Sequence, residues 1–164
     1  MRRANNSHRK SRFYLLSIVL IIFLLGFLGI AKAKSSISSA RNTAYTLAKN
    51  YGHLTETNEF YLYNRGKVFY GVEGLDAKNK EVYAIISENG KKISIYSKNK
   101  VIDQLKARQL VQQERNPKKI TKLALGMYHN KPVWEVTYYN QNNKLCYDLL
   151  SLKDGHVMQS IQNI

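Results

Sequence analysis

The chain has 164 residues, 26 lysines and arginines against 11 acids, and one cysteine. That length holds one medium domain or two very small ones. A single cysteine excludes an intramolecular disulfide, so packing alone must hold whatever folds. All 11 acids lie beyond residue 35, which leaves that part of the chain at +8, nineteen basic residues against eleven acidic.

From Phe13 to Ala31 run nineteen residues without a charge. As a helix they cover about 28 Å, close to the ~30 Å of a bilayer core, and they are apolar all round rather than striped. A transmembrane helix is therefore expected over 13–31. Arg2, Arg3, Arg9, Lys10 and Arg12 precede it with no acid among them, and only Lys32 and Lys34 follow closely. This bias predicts a cytoplasmic basic tail over 1–12 and a single-pass protein of the cell membrane with its C-terminal body outside. Ala31-Lys32-Ala33 also fits a signal-cleavage pattern, but the apolar run is longer than the ~7–15 residues of a signal core, which favours a retained anchor. An external body excludes nucleic acid as a partner. Its positive surface attracts anionic wall polymer of the teichoic type, anionic lipid or an acidic protein face.

Beyond the anchor, Ile37, Ala40, Ala44, Leu47, Ala48 and Tyr51 fall on one helical face, and Gly52 is placed to stop the helix. Strands are expected at Phe60–Tyr63, Lys67–Leu75, Glu81–Ser87 and Lys92–Tyr96. The last two are joined across Asn89-Gly90, a hairpin dipeptide whose residues both accept positive φ. A second helix is marked by Val101, Ile102, Leu105, Leu110 and Val111, ending before Asn116-Pro117 because a residue preceding proline avoids the α region. Strands follow at Ile120–Tyr128, Val133–Tyr139, Leu145–Leu152 and Val157–Ile161, the last pair turning at Asp154-Gly155.

The halves superpose at an offset of about 65 residues. Val68-Phe69 falls on Val133-Trp134, Ile85 on Leu150 and Asn89-Gly90 on Asp154-Gly155. The expectation is an α+β fold in which the anchor is followed by two repeats, 35–98 and 99–164, each one helix on an antiparallel sheet. Units of that size have marginal cores, so the two should bury a common surface.

Enzyme chemistry is not spelled out. His8, His53, His129 and His156 have no metal-ligand spacing. Cys146 sits among apolar strand residues and reads as a buried thiol, and Gly71 and Gly74 precede no helix that could seat a phosphate. Glu135 and Asp148 lie on neighbouring predicted strands, within reach of each other, and read as solvated strand residues rather than a paired acid and base. No catalytic residue, metal or cofactor is expected.

Surface features remain. Lys91 and Lys92, and Arg115, Lys118, Lys119 and Lys122, form basic clusters on either side of the second predicted helix. They are candidate contacts for a partner or polyanion if the two make one continuous face. Eleven of the twelve tyrosines lie in the body; rings on strands are half-buried as a rule, but they also anchor interfaces. Trp134, Tyr138 and Tyr139 are the aromatic candidates for core or docking, with Trp134 on the core side.

The segment Pro132-Val133-Trp134-Glu135-Val136-Thr137-Tyr138, with Tyr147 and Asp154-Gly155, resembles the TseB-like (YpmB) family of cell-wall elongation regulators of Gram-positive bacteria. Phe69-Tyr70-Gly71-Val72-Glu73-Gly74 is similar to that family's aromatic strand ending in glycine. The resemblance implies tandem PepSY-like, cystatin-like domains, no catalytic residues, and contact with a class B penicillin-binding protein at the membrane. The expected function is thus a membrane-anchored, non-enzymatic regulator or scaffold of peptidoglycan elongation. A polyanion-binding module and a peptidase-inhibiting PepSY-like domain are the alternatives.

Overall fold

In the computed structural model the described residues are 18–23 and 36–164. Residues 18–23 are helical and exposed. Among the described residues no helix is long and apolar enough to cross a membrane. The anchor expected over 13–31 lies outside them except for 18–23, and the tail expected over 1–12 lies outside them entirely.

Residues 36–50 form a helix, α1, and Arg41–Ile164 forms one unit. Within it, β1 (Leu54–Arg65), β2 (Lys67–Asp76), β3 (Glu81–Ser87) and β4 (Ile93–Ser97) make one antiparallel sheet in chain order. Helix α2 (Gln104–Arg115) follows, and then β5 (Lys119–Tyr128), β6 (Lys131–Tyr139), β7 (Leu145–Ser151) and β8 (Val157–Ile161) make a second sheet, again in chain order. The fold is α+β, and its two sheets repeat at the spacing read from the sequence.

Each helix carries an apolar stripe. Ala44 and Ala48 of α1 are buried, and Tyr45 meets the Phe60 ring edge-on at 6.5 Å while its hydroxyl donates to the Asn58 carbonyl. Gly52 follows the end of α1, as expected. A Cβ there would sit 2.6 Å from the Ala48 carbonyl oxygen, and it is His53 that takes the left-handed conformation, at φ 56°. Helix α2 starts later than the apolar pattern implied. Val101 is extended, Ile102 donates its N–H to the Leu152 carbonyl, and Asp103 caps the helix by accepting from the Lys106 N–H at 2.7 Å. It ends as expected, with Asn116 left-handed before Pro117.

The hairpin turns also repeat. Only the glycines of Asn89-Gly90 and Asp154-Gly155 have positive φ, 69° and 81°. The turns are longer than two residues: Ser87 accepts from Gly90 and donates to Lys92, and Ser151 does the same with Gly155 and His156. In each, the glycine faces a helix leucine, Leu47 in the first repeat and Leu110 in the second.

Residues paired across a sheet share a face. In the first sheet Phe60, Val72 and Ala84 stand in register on the side that receives α1. Tyr61, Gly71 and Ile85 stand on the other side, as do Tyr63 and Phe69. That side is where the second repeat packs: β5, an edge strand of its own sheet, lies against β1, β2 and β3. Covering β5 removes an open sheet edge. Two glycines permit the approach. A Cβ on Gly71 would come within 2.7 Å of Leu125 Cβ, and one on Gly126 would overlap the Tyr63 ring. The shared core gathers Tyr61, Tyr83 and Ile85 from the first sheet, Ala107 and Val111 from α2, and Leu125, Trp134 and Leu150 from the second sheet.

Gly126→Ala should destabilise the protein by about 2 kcal/mol through overpacking against Tyr63. The check is a lower urea midpoint at unchanged slope; a midpoint within error of the parent would show that β5 does not press on the first sheet. Burial, with a further contribution from Glu135 that Arg65 partly counters, pushes the Tyr63 hydroxyl up to about 12. Its neutral form is therefore favoured by folding. The stability this provides is complete below pH 10 and is lost as pH rises from 10 towards 12. The Tyr63 hydroxyl has no protein partner among the described residues, so Tyr63→Phe should leave stability at pH 7 within about 0.5 kcal/mol. It should also move the alkaline unfolding midpoint, followed by near-UV circular dichroism, to higher pH.

Candidate functional site

The carboxylates that sequence alone could have paired are separated by the sheet. Glu135 stands opposite Leu149, and Asp148 opposite Val136, so their side chains leave on opposite faces. Neither is solvated, contrary to the expectation from sequence: each is buried and each has its own cation. Arg65 Nε donates to Glu135 Oε2 at 2.9 Å and its guanidinium lies over the Tyr147 ring. Arg115 Nε donates to Asp148 Oδ2 at 2.8 Å, with Ser160 and Gln162 also donating to Asp148. That hydrogen bond raises the Arg115 guanidinium above its ordinary value against the opposing effect of burial. Neither pair is an acid–base couple; both are structural. His53, His129 and His156 lie in turns or loops, His156 taking a hydrogen-bonded place beside Asp154. Among the described residues no three metal-ligating side chains come together.

The predicted contact residues divide. Trp134 and Tyr138 are buried core residues, while Tyr139 is 40% exposed. Arg115 is committed to Asp148, and Lys118 reaches Asn143 Oδ1 at 2.6 Å. Lys119 and Lys122 are exposed at the start of β5. Lys91 and Lys92 instead line a groove with Met127, near the far end of that strand. Five to eight residues of extended strand, roughly 17 to 26 Å, therefore separate Lys122 and Lys119 from the Met127 end of β5 where Lys91 and Lys92 lie, so the clusters are not adjacent.

That groove is a sizeable concavity. Its volume is about 550 Å³, within the range of ligand sites. Three hairpins meet around it: β1–β2 contributes Lys67 and Phe69, β3–β4 contributes Lys91 and Lys92, and β5–β6 contributes Met127 and Asn130. Ile85 belongs to its floor, and Ser87, Asn89 and Ser94 supply hydroxyl and amide groups. A second hollow of about 490 Å³ continues past Lys67 to Arg65, Tyr128 and His129. The groove exists because β5 and Trp134 cover only part of the first sheet's inner face. Lys67, Phe69 and Met127 were not legible as site residues, since nothing local in the sequence brings the β5–β6 tip to the β1–β2 tip.

At the other end of the same face the polar groups are used internally. Lys98 Nζ donates to Glu73 Oε1 at 2.7 Å and to Glu81 Oε1 at 3.2 Å, and the Tyr61 hydroxyl lies 3.3 Å from both Glu73 Oε2 and Gln104 Oε1. Burial would lower the Lys98 ammonium, but the bonds to Glu73 and Glu81 outweigh it and raise it. Burial, and then Glu73, push the Tyr61 phenol well above its usual range. This junction locks β2, the Lys98–Lys100 turn and α2 together; the buried Tyr83 hydroxyl beside it has no hydrogen-bond partner among the described residues.

Residues 43–87, from α1 to the end of β3, match the family described as "Cell wall elongation regulator TseB-like domain". The fold is similar to that of the YpmB protein from Bacillus subtilis, with a TM-score of 0.65 and 22% identity over 74% of this chain and 95% of that one. A candidate lipoprotein from Clostridium difficile 630 is more distant, with a TM-score of 0.41 and 15% identity over 74% of this chain and 91% of that one. No curated protein matches the chain in sequence. The family resemblance is borne out, and the match includes the β2 segment Phe69–Gly74 that carries part of it; the β6 segment lies outside residues 43–87.

Arg115→Met should cost about 3 kcal/mol, because Asp148 would be left as a buried, uncompensated carboxylate. That is the lower end for such pairs, since the Arg115 side chain is one-third exposed. Combining it with Asp148→Leu should recover most of the loss. Chemical denaturation of the two variants checks this; a single variant within 1 kcal/mol of the parent would refute it.

Proposed function

We propose that this TseB-like protein is a membrane-anchored, extracytoplasmic regulator of cell-wall elongation that works without catalysis, by contact with a penicillin-binding protein. The observation that carries this reading is the family match over residues 43–87, the segment that builds α1 and three strands of the first sheet. The uncharged run Phe13–Ala31 behind a basic tail supports the anchored, outward orientation. Confinement to the membrane plane raises the effective concentration of the body near other anchored proteins. A contact that is weak in solution then suffices, and a groove with a few charged side chains at its rim is adequate for it.

A second reading has its own support. Lys119 and Lys122 are exposed and enter no ion pair among the described residues, as a surface for anionic wall polymer would require. The two differ in salt dependence, because exposed charges are screened beyond about 10 Å at 0.1 M salt.

In-cell crosslinking of the full chain, followed by mass spectrometry, discriminates them. Enrichment of a penicillin-binding protein, retained at high salt, is the expected result. Recovery of wall polymer alone, lost in high salt, would replace the regulator reading with the polymer-binding one.

A further inference from the structure

We propose that the groove over Phe69, Ile85 and Met127 is a docking site for an acidic, extended peptide segment that carries an apolar side chain between its carboxylates. This rests on the reading of the protein as a regulator that acts by protein contact, and it adds the surface and the partner's chemistry.

Charge sets the sign of the partner. Lys67, Lys91 and Lys92 line the same hollow, are exposed, and enter no ion pair among the described residues. The neighbouring arginine is not available in the same way, because Arg65 is held by Glu135. One acid, Glu88, stands in the adjoining hollow, and among the described residues no acid lines the groove itself. A site with three uncommitted ammonium groups and no carboxylate is complementary to a segment bearing several negative charges.

The floor separates a peptide from a bare polyanion. Phe69 and Met127 pack on the shared core from its margin, and Ile85 is buried within it, so the bottom of the groove is apolar. A phosphodiester polymer has nothing to cover such a floor, whereas a leucine or phenylalanine between acidic residues would remove it from water. The lysines set only the sign of the ligand, since an ammonium meets carboxylate and phosphate alike as a point charge; the apolar floor is what selects a peptide. Ser94 and Asn130 offer hydrogen bonds to an extended main chain, whereas the Ser87 hydroxyl is held in its own turn by Asn89 and the Lys92 N–H.

The test uses the full chain in neutral detergent and a fluorescein-labelled peptide in which two glutamates flank a leucine on each side, read by anisotropy. Changing Lys67→Glu, Lys91→Glu and Lys92→Glu together should weaken binding roughly 30-fold. The same reversal at Lys118, Lys119 and Lys122 should change it by less than about threefold, since those residues lie at the far end of β5. Replacing the peptide leucine by serine should weaken binding about tenfold. Equal loss from the two lysine triples, or indifference to the leucine, would overturn the proposal in favour of diffuse charge attraction. Displacement of the peptide by polyglycerol phosphate at lower concentration than by unlabelled peptide would overturn it in favour of a polymer site. Should the groove triple fail to fold, Met127→Gln with all lysines in place must abolish the preference for leucine over serine. The crosslinking experiment keeps the two levels apart. A penicillin-binding protein recovered equally well with the groove triple would remove the groove and leave the regulator; peptide binding intact without such recovery would do the reverse.

Discussion

The structure depends most on the place of Trp134. It is fully buried on the second sheet, yet two of its neighbours belong to the first: Tyr61 and Tyr83 meet its ring edge-on at 4.9 and 5.5 Å. Its indole N–H donates at 3.0 Å to the carbonyl of Ile102, just ahead of the Asp103 cap of α2. One side chain thereby fixes the distance between the sheets, the start of the second helix and the partner of a buried donor. Edge-to-face contacts direct the positive rim of one ring at the negative face of another, which orients as well as attracts. Each repeat is too small to bury much surface alone, and the tryptophan sits where their shortfalls are made good together.

Two repeats with the same topology use their faces differently. The first sheet is covered by α1 on one side and by β5 on the other. The second sheet holds α2 against Trp134, Val136 and Leu150, and its other face meets Tyr63 and Phe69 through Ala124, Val133 and Leu149. The ion pair of Arg65 with Glu135 spans that same contact. Because an edge strand rather than a whole sheet lies across the first sheet, the inner face is closed near Tyr61 and Tyr83 and open near Phe69 and Ile85. The groove is the geometric remainder of asymmetric packing between like units. A symmetric face-to-face arrangement would have filled it.

Much of this was legible in the sequence, because local rules governed it. The helix stripe of Ala44 and Ala48, the proline-limited end of α2, the glycine turns and the 65-residue repeat follow from periodicity and turn chemistry. The first half of β1 was not legible. Leu54-Thr55-Glu56-Thr57-Asn58-Glu59 has no alternation, and pairing with β2, interrupted by two irregularities, is what holds it extended. The start of α2 misled for the opposite reason, since Val101 and Ile102 extend the apolar pattern but serve the core from an extended segment ahead of the cap. The basic clusters looked continuous because they flank one helix in sequence; the strand that follows that helix carries them apart. The groove could not be read at all, being made of three turns whose meeting is purely tertiary.

The charge of the body has to be divided before it means anything for function. Arg65, Lys98 and Arg115 each satisfy a carboxylate that would otherwise be buried or crowded without a cation. In that role they contribute to the fold and offer little to a ligand. The excess that makes the chain basic is carried by exposed lysines, whose long stems and strong hydration make isolated surface contacts worth little. Lysines become selective only where something else restricts the ligand, such as an apolar floor that favours one kind of side chain or a membrane anchor that limits which proteins arrive. The groove supplies the first restriction. The second requires the apolar run at 13–31 to act as a retained anchor. A body of this charge freed from the membrane would meet every polyanion of the wall with similar, weak affinity. The specificity of a regulator built this way would then come from where the body is held as much as from what its surface contains.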